Sequence, residues 1–209
     1  MGADVVVFYV GSVSGSDIQN DSPVSVVDRW ETGLNEDDEI VQKLYLFGDE
    51  GEKVLDVSPD FNLEQIEVTT DNETSYRALG TGDIIRYSQN STGEVTFIQI
   101  CYSHEDNTTY NYGAFSSTYK YVYRTDKESG LVMTAGLVNG NIPFEGVDFD
   151  SFELSRFKVY VYDGSVKKNH ITAGTVQDIM PYNAYMNDCS RIVINRQSDD
   201  PRSIVIYNN

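Results

Sequence analysis

The feature that most constrains the fold is a succession of short segments rich in Val, Ile, Tyr, Phe and Thr, each bounded by Gly, Asn, Asp or Ser. Alternation with a period of two is typical of β-strands, and helical periodicity is nearly absent. Many short strands joined by turns predict an all-β chain, built as two small β-barrel or β-sandwich units in series. The connectors at residues 62–66 and 175–179 are each predicted to hold one helical turn. Strands are predicted at residues 5–10, 24–28, 40–47, 53–57, 75–79, 84–87, 95–102, 119–124, 131–135, 157–162, 191–195 and 203–207.

A Gly-Thr, Asp-Ile, Tyr pattern occurs twice, at residues 80–87 and 174–182, and a strand-like segment follows each copy. Gly-Thr is suited to a turn, Asp closes such a turn by hydrogen bonding, and Ile enters a core. The repetition predicts two related units, residues 3–103 and 110–209, separated by the polar segment 104–109. Chance similarity in a chain rich in Tyr and Ile is the alternative.

The charge of the chain excludes two classes of partner. Fifteen Lys and Arg against 33 Asp and Glu give a net charge of −18. Such a field repels nucleic-acid phosphates and anionic lipid heads. The longest apolar run, residues 5–10, is far shorter than the ~20 residues that span a bilayer. We therefore expect neither nucleic-acid binding nor membrane insertion.

Residues that carry catalysis or hold a metal are scarce. The two histidines, His104 and His170, lie in polar, turn-like segments where a solvated side chain is expected. No second histidine stands at zinc-ligand spacing. The segment 11–15 has Val13 where a serine hydrolase needs its nucleophile. A glycosidase needs two facing carboxylates, and 33 acids give no basis for choosing a pair. We predict no catalytic residue, no metal site and no cofactor.

Two acidic clusters raise the question of calcium: residues 36–39, and Asp148 and Asp150 with Glu153. A calcium loop of the EF type needs acids at alternate positions and a central glycine, and neither cluster has that pattern. Solvated, self-repelling loops are therefore favoured over ion sites.

The tyrosines Tyr119, Tyr121 and Tyr123 alternate along one predicted strand, which places them on one face. An exposed row of this kind is a possible platform for stacking sugar rings, and an inward row is packing. We favour packing, because cross-strand tyrosines are common in sheets. For Trp30, the single tryptophan, a packing role is also predicted.

The two cysteines, Cys101 and Cys189, fall in different predicted units. In an exported chain an even number of cysteines allows a disulfide, which would tie the units together. We favour two reduced thiols, because Cys101 ends a predicted strand where a small buried apolar residue fits, and keep the disulfide as the alternative.

Residues 76–95 resemble a Gly-Asp-Ile/Val-Ile-x-Tyr-Ser stretch found in β-rich modules beside S-layer homology domains, in large surface proteins of anaerobic Gram-positive bacteria. The segments 157–162, 178–179 and 204–207 resemble the barrel-like unit that follows there, and residues 5–56 suit the opening of that pattern. The resemblance implies an extracellular module of the cell surface or wall with no known catalysis. Its partners would be neighbouring domains of the parent chain and cell-wall polysaccharide.

The expected function is therefore that of a non-catalytic structural or spacer module of an S-layer-associated protein. A carbohydrate-binding module that uses exposed tyrosines is the alternative, and a phage or viral surface protein is another. Strand-like residues near both ends lead us to expect a fragment of a longer protein. Asn-x-Ser/Thr triplets, which would be glycosylated only in a eukaryotic secretory route, begin at Asn20, Asn72, Asn90 and Asn107.

Overall fold

The computed structural model describes residues 18, 22–35, 37–70, 73–136, 150–167 and 169–208. The chain is all-β, with 60% of its residues in strands and 4% in helical turns, which confirms the predicted fold class. The strand predicted at residues 5–10 lies outside the described residues.

The described residues form fifteen strands. They are β1 (Val24–Leu34), β2 (Ile40–Gly48), β3 (Gly51–Val57), β4 (Ile66–Thr70), β5 (Glu73–Arg77), β6 (Ile84–Gln89), β7 (Val95–Ser103), β8 (Thr108–Thr109), β9 (Phe115–Asp126), β10 (Leu131–Ala135), β11 (Asp150–Glu153), β12 (Lys158–Asp163), β13 (Ile171–Ala173), β14 (Arg191–Gln197) and β15 (Asp200–Asn208).

Strands β1, β2, β3, β6 and β7 close into a five-stranded barrel, called here the N-terminal barrel. The first three strands form an antiparallel meander, and β6 returns beside β1, which is a Greek-key connection. Strand β7 pairs antiparallel with β6 and parallel with β3, where Val57 meets Val95. The barrel interior is apolar, and Trp30 packs against it while its indole N–H donates to the carbonyl of Leu79 at 2.9 Å. The predicted packing role of Trp30 is confirmed.

The remaining strands from β9 onwards form a seven-stranded sheet, called here the C-terminal sheet, in the order β11-β10-β9-β14-β15-β12-β13. Its connectivity repeats that of the barrel. Strands β9, β10 and β11 form a meander, β14 lies beside β9, and β15 runs parallel to β12. A 3₁₀ turn at Leu154–Arg156 separates β11 from β12, so two short strands stand where the barrel has β3.

Each Gly-Thr segment donates one backbone hydrogen bond to the first strand of its arrangement. In the barrel the N–H of Gly82 donates to the carbonyl of Val27 on β1, at 2.8 Å. In the sheet the N–H of Tyr182 donates to the carbonyl of Val122 on β9, at 3.1 Å. Both valines are fully buried, and in both strands the next residue is a β-bulge. The two donors stand at different positions of the pattern. The copies share instead a contact of the aspartate with the N–H three residues earlier: Asp83 accepts from Gly80 at 2.8 Å, and Asp178 accepts from Thr175 at 2.7 Å.

Barrel and sheet share a hydrophobic cluster to which both contribute buried side chains. Its members are Val24, Val26, Ile84, Cys101 and Tyr102 from the barrel, and Phe115, Tyr160, Tyr162, Ile171, Val193, Val205 and Tyr207 from the sheet. The boundary predicted at residues 104–109 forms a turn and the short strand β8, between the two arrangements. Division of the chain into independent units at this point stays a prediction.

Of the two predicted helical turns, one is confirmed and one is wrong. A 3₁₀ turn is present at Val176–Asp178, where the Thr175 side chain accepts from a backbone N–H and caps it. Residues 62–66 instead make a turn that leads directly into β4. Strand β4 pairs with β5 as a separate hairpin, and Ile66 and Val68 on it are buried in the barrel core, which favours the extended conformation.

Candidate functional site

The residues with unusual environments meet where the C-terminal sheet packs against the N-terminal barrel. Six aromatic side chains form this contact, called here the aromatic seam: Tyr102, His104, Tyr119, Tyr162, His170 and Tyr207. The ring of His104 stacks on that of Tyr207, with centroids 4.8 Å apart and planes 15° apart. The Tyr207 hydroxyl donates to the carbonyl of Gly82 at 2.8 Å and so joins β15 to the loop before β6.

The prediction that both histidines are solvated is wrong. His104 packs between Tyr207 and Tyr162, whose ring centroid is 4.7 Å away. Burial, together with the nearby Arg191 charge, lowers the pKa of His104. The side chain of His170 is only 12% exposed, and its Nδ1 lies 2.9 Å from Asp28 Oδ1. The polar loops that carry these histidines fold inward because buried aspartates accept their backbone N–H groups.

Asp83 is the first of these aspartates and is completely buried. Its Oδ2 accepts the N–H of Gly80 at 2.8 Å, and its Oδ1 accepts the N–H of His104 at 2.9 Å. The guanidinium of Arg77 lies 3.4 Å away. Burial raises the pKa of Asp83 to about 6, against the opposite influence of Arg77 and the two hydrogen bonds. The carboxyl therefore joins the loop before β6 to the end of β7.

Asp28, the bulged residue of β1, is the second aspartate. It accepts both the backbone N–H of His170, at 2.6 Å, and a hydrogen bond from the guanidinium of Arg29. Burial acts to raise the pKa of Asp28, but the hydrogen bonds from His170 and Arg29 outweigh burial and lower it. Asp28 is thus a charged contact between the barrel and the segment before β13.

The tyrosines and aspartates at the seam are suited to packing and hydrogen bonding rather than to proton transfer. Burial raises the pKa of Tyr102 and of Tyr207, so both phenols stay protonated and are poor nucleophiles at neutral pH. Both oxygens of Asp28 and of Asp83 have partners within the fold. These groups therefore hold the segments in place.

The predicted row of Tyr119, Tyr121 and Tyr123 does not lie flat. Tyr119 stacks on Tyr102 with planes 12° apart and belongs to the seam, whereas Tyr121 meets Tyr119 edge to face at 79°. Tyr123 is the bulged residue of β9, where strict alternation breaks. A sugar-stacking platform needs an open, coplanar row, so the geometry favours the packing role.

The possible disulfide between Cys101 and Cys189 is not formed in the structure, where both residues are free and buried. Cys101 packs in the cluster that barrel and sheet share. Cys189 lies in the loop before β14, where its N–H donates to the side chain of Asp188. The two thiols are held in separate packing environments, and each serves as a small buried residue.

The acidic clusters fall partly outside the described residues, which omit Glu36 and Asp148. In the part of the first cluster that is described, the Asn35 side-chain oxygen accepts the N–H groups of Asp37 and Glu39, as in an ordinary loop. Among the described residues, no group of three or more His, Cys, Asp or Glu side chains is placed to hold a metal ion.

Two of the four glycosylation triplets are in the described part of the chain. Asn90 and Asn107 are exposed in turns, as predicted, and Asn20 and Asn72 lie outside it. The Asn107 side chain accepts the hydroxyl of Tyr102 at 3.1 Å.

One feature that the sequence did not indicate is a cavity of about 140 Å³ beside the Asp28–His170 contact. Strands β2 and β3 form one wall, through Leu46, Phe47 and Val54. Asn169 and Ile171, from the segment that carries His170, form the other. Because the lining comes from segments far apart in the chain, no local motif marks it.

No helix among the described residues is long and apolar enough to cross a membrane. Comparison with known proteins finds no family model, no curated protein and no solved structure that matches the chain.

Proposed function

We propose that this chain is a non-catalytic structural module of a bacterial cell-surface protein associated with an S-layer. It acts as a spacer that holds the N-terminal barrel and the C-terminal sheet in one fixed orientation. The observation that carries this proposal is the aromatic seam, in which the aromatic and ionisable side chains contribute to packing between barrel and sheet.

Polar contacts across the seam support a fixed orientation. The Tyr160 hydroxyl on β12 donates to Asp49, in the turn between β2 and β3, at 2.6 Å. The Tyr207 hydroxyl and the Asp28–His170 pair are further polar contacts between barrel and sheet, and Tyr160 and Tyr207 themselves belong to the shared apolar cluster. Sliding the sheet over the barrel would expose that cluster to water and leave buried polar groups unpaired, and both changes are costly.

The charge and the sequence resemblance support the location. A net charge of −18 keeps a module soluble and prevents association between copies. The resemblance of residues 76–95 to modules of surface proteins supports a place on the outside of the cell.

The spacer role is tested by unfolding the chain in urea with two probes. Trp30 fluorescence follows the barrel, and circular dichroism at 215–220 nm, in the range where strands absorb, follows the whole chain. We expect coincident transitions, because separating the sheet would expose the seam. A barrel transition well separated from the loss of the remaining strands would contradict a rigid connection.

The location is tested separately on cells that produce the parent protein. External protease should cleave this segment on intact cells, and a cytoplasmic enzyme should stay intact in the same sample as the control. Recovery of the segment only from lysed cells would refute the cell-surface assignment.

A further inference from the structure

The cavity beside the Asp28–His170 contact has the composition of a ligand site, and it goes beyond the proposed spacer role. We propose that it binds a single neutral saccharide ring, as part of a surface glycan. The size of the cavity, its balanced charge, and the mixture of apolar and polar groups in its lining favour such a ring.

The size limits the ligand to one ring. A volume of about 140 Å³ is well above what a single water molecule needs. It is below the roughly 300–1,000 Å³ typical of sites for drug-sized ligands. The cavity also lies between barrel and sheet, and contacts between such layers are frequent locations for binding sites.

The charge of the lining favours a neutral ligand. Asp28 and Glu52 supply two negative charges, and Arg29 and Lys53 supply two positive ones. Arg29 is paired with Asp28, and Lys53 with Glu50 at 2.5 Å. A small anion therefore meets no unopposed cation in the cavity, and the net charge of −18 repels it at longer range.

The floor of the cavity is apolar, and its rim offers both donors and acceptors. Leu46 and Ile171 are each 2% exposed and form the floor with Phe47. The rim carries the guanidinium of Arg29, which pairs with Asp28 and, at 3.9 Å, with Glu31. The exposed side chains of Glu52 and Asn169 stand beside it, a carboxylate that accepts and an amide that both donates and accepts.

A saccharide ring matches this combination. Its C–H face can cover the apolar floor, and its hydroxyls both donate and accept hydrogen bonds at the edge of the ring. The acidic charge of the chain disfavours an oligonucleotide as the occupant.

The test is a calorimetric and NMR titration of the whole chain with glucose, galactose and N-acetylglucosamine, and with their short oligomers. We expect at least one neutral sugar to bind and to shift the backbone signals of Val54 and Asn169. Glucuronate and acetate serve as anionic probes and should bind at least tenfold more weakly.

Val54→Arg fills the mouth of the cavity at a side chain that is 53% exposed, and it should weaken sugar binding at least tenfold. Leu34→Arg is the matched control, because Leu34 is 54% exposed and does not line the cavity, so it should bind as the unmodified chain does. Glu52→Gln is a second variant at an exposed rim position that the core does not depend on, and it should also weaken binding.

Three results would overturn the proposal: no neutral sugar binds, anions bind as tightly as sugars, or Val54→Arg and Glu52→Gln both leave binding unchanged. Each of these can occur while the two unfolding transitions coincide, so failure of the saccharide site is distinguishable from failure of the spacer role.

Discussion

Asp83 makes the stability of this protein depend on pH in a direction that can be calculated. Burial raises its pKa from 3.8 to about 6 in the folded chain, so the folded state binds the proton more readily than the unfolded state does. This contribution to stability is complete below pH ~4 and is lost as the pH rises through about 6. A difference of roughly two pKa units corresponds to about 3 kcal/mol between the two limits.

Asp83→Asn removes this titration. The amide keeps only one acceptor oxygen for the two backbone N–H groups, so the variant should be less stable at every pH. The informative quantity is therefore the slope of the free energy of unfolding against pH. From pH 7.5 down to pH 5, the free energy of unfolding of the original chain should rise by roughly 1 kcal/mol more than that of the variant.

Urea unfolding followed by Trp30 fluorescence, at five or six pH values between 5 and 7.5, measures this difference. Asp178→Asn is the matched control, because Asp178 belongs to the second Gly-Thr segment and accepts from Thr175, but is exposed. It should keep the slope of the original chain. Asp83 is not the group that titrates if Asp83→Asn also keeps that slope, or if the original chain becomes less stable relative to the variant as the pH decreases.

Three further predictions concern buried groups. Tyr207→Phe leaves the carbonyl of Gly82 without its hydroxyl donor and should lower the free energy of unfolding by about 1–3 kcal/mol in the same urea titration. Tyr185→Phe, at a fully exposed position, is the control and should change it little. Leu44→Ala, in the barrel core, should cost about 2–5 kcal/mol by the same measurement, and a loss below 1 kcal/mol would contradict a closely packed barrel. Burial raises the pKa of Cys101 to about 12 and that of Cys189 to about 11, so a thiol reagent should label neither residue in the folded chain and both in unreduced, denatured chain. Fewer than two labelled thiols after denaturation would indicate a disulfide.

The barrel and the C-terminal sheet share one strand connectivity but differ in whether it closes. The barrel closes because β3 runs unbroken to meet β7. In the C-terminal sheet, the 3₁₀ turn at Leu154–Arg156 divides the corresponding segment, and only β12 reaches β15. The two aspartates of the Gly-Thr pattern also differ: Asp83 is buried, and Asp178 is exposed.

Local pattern determined the class of fold and most of its strands. The alternation at residues 40–47 and 131–135 predicted β2 and β10 almost to the residue, because one strand face meets a core and the other does not. Strands β4, β8, β11 and β13 were missed. Of these, β8 and β13 have only two and three residues, too few to display a period. The acidic charge, a property of composition alone, needed no structure.

Only the tertiary structure decided the seam and the cavity. The neighbours of His104 and His170 in the chain are polar and indicated solvation, yet both rings are packed against tyrosines. The partner of His170 is Asp28, 142 residues away, and the walls of the cavity come from equally distant segments. The alternation of apolar residues indicates which side chains of a strand are buried, because burial of one face is a local property of the strand. It does not indicate which residues cover that face, because those residues are determined by how whole sheets pack.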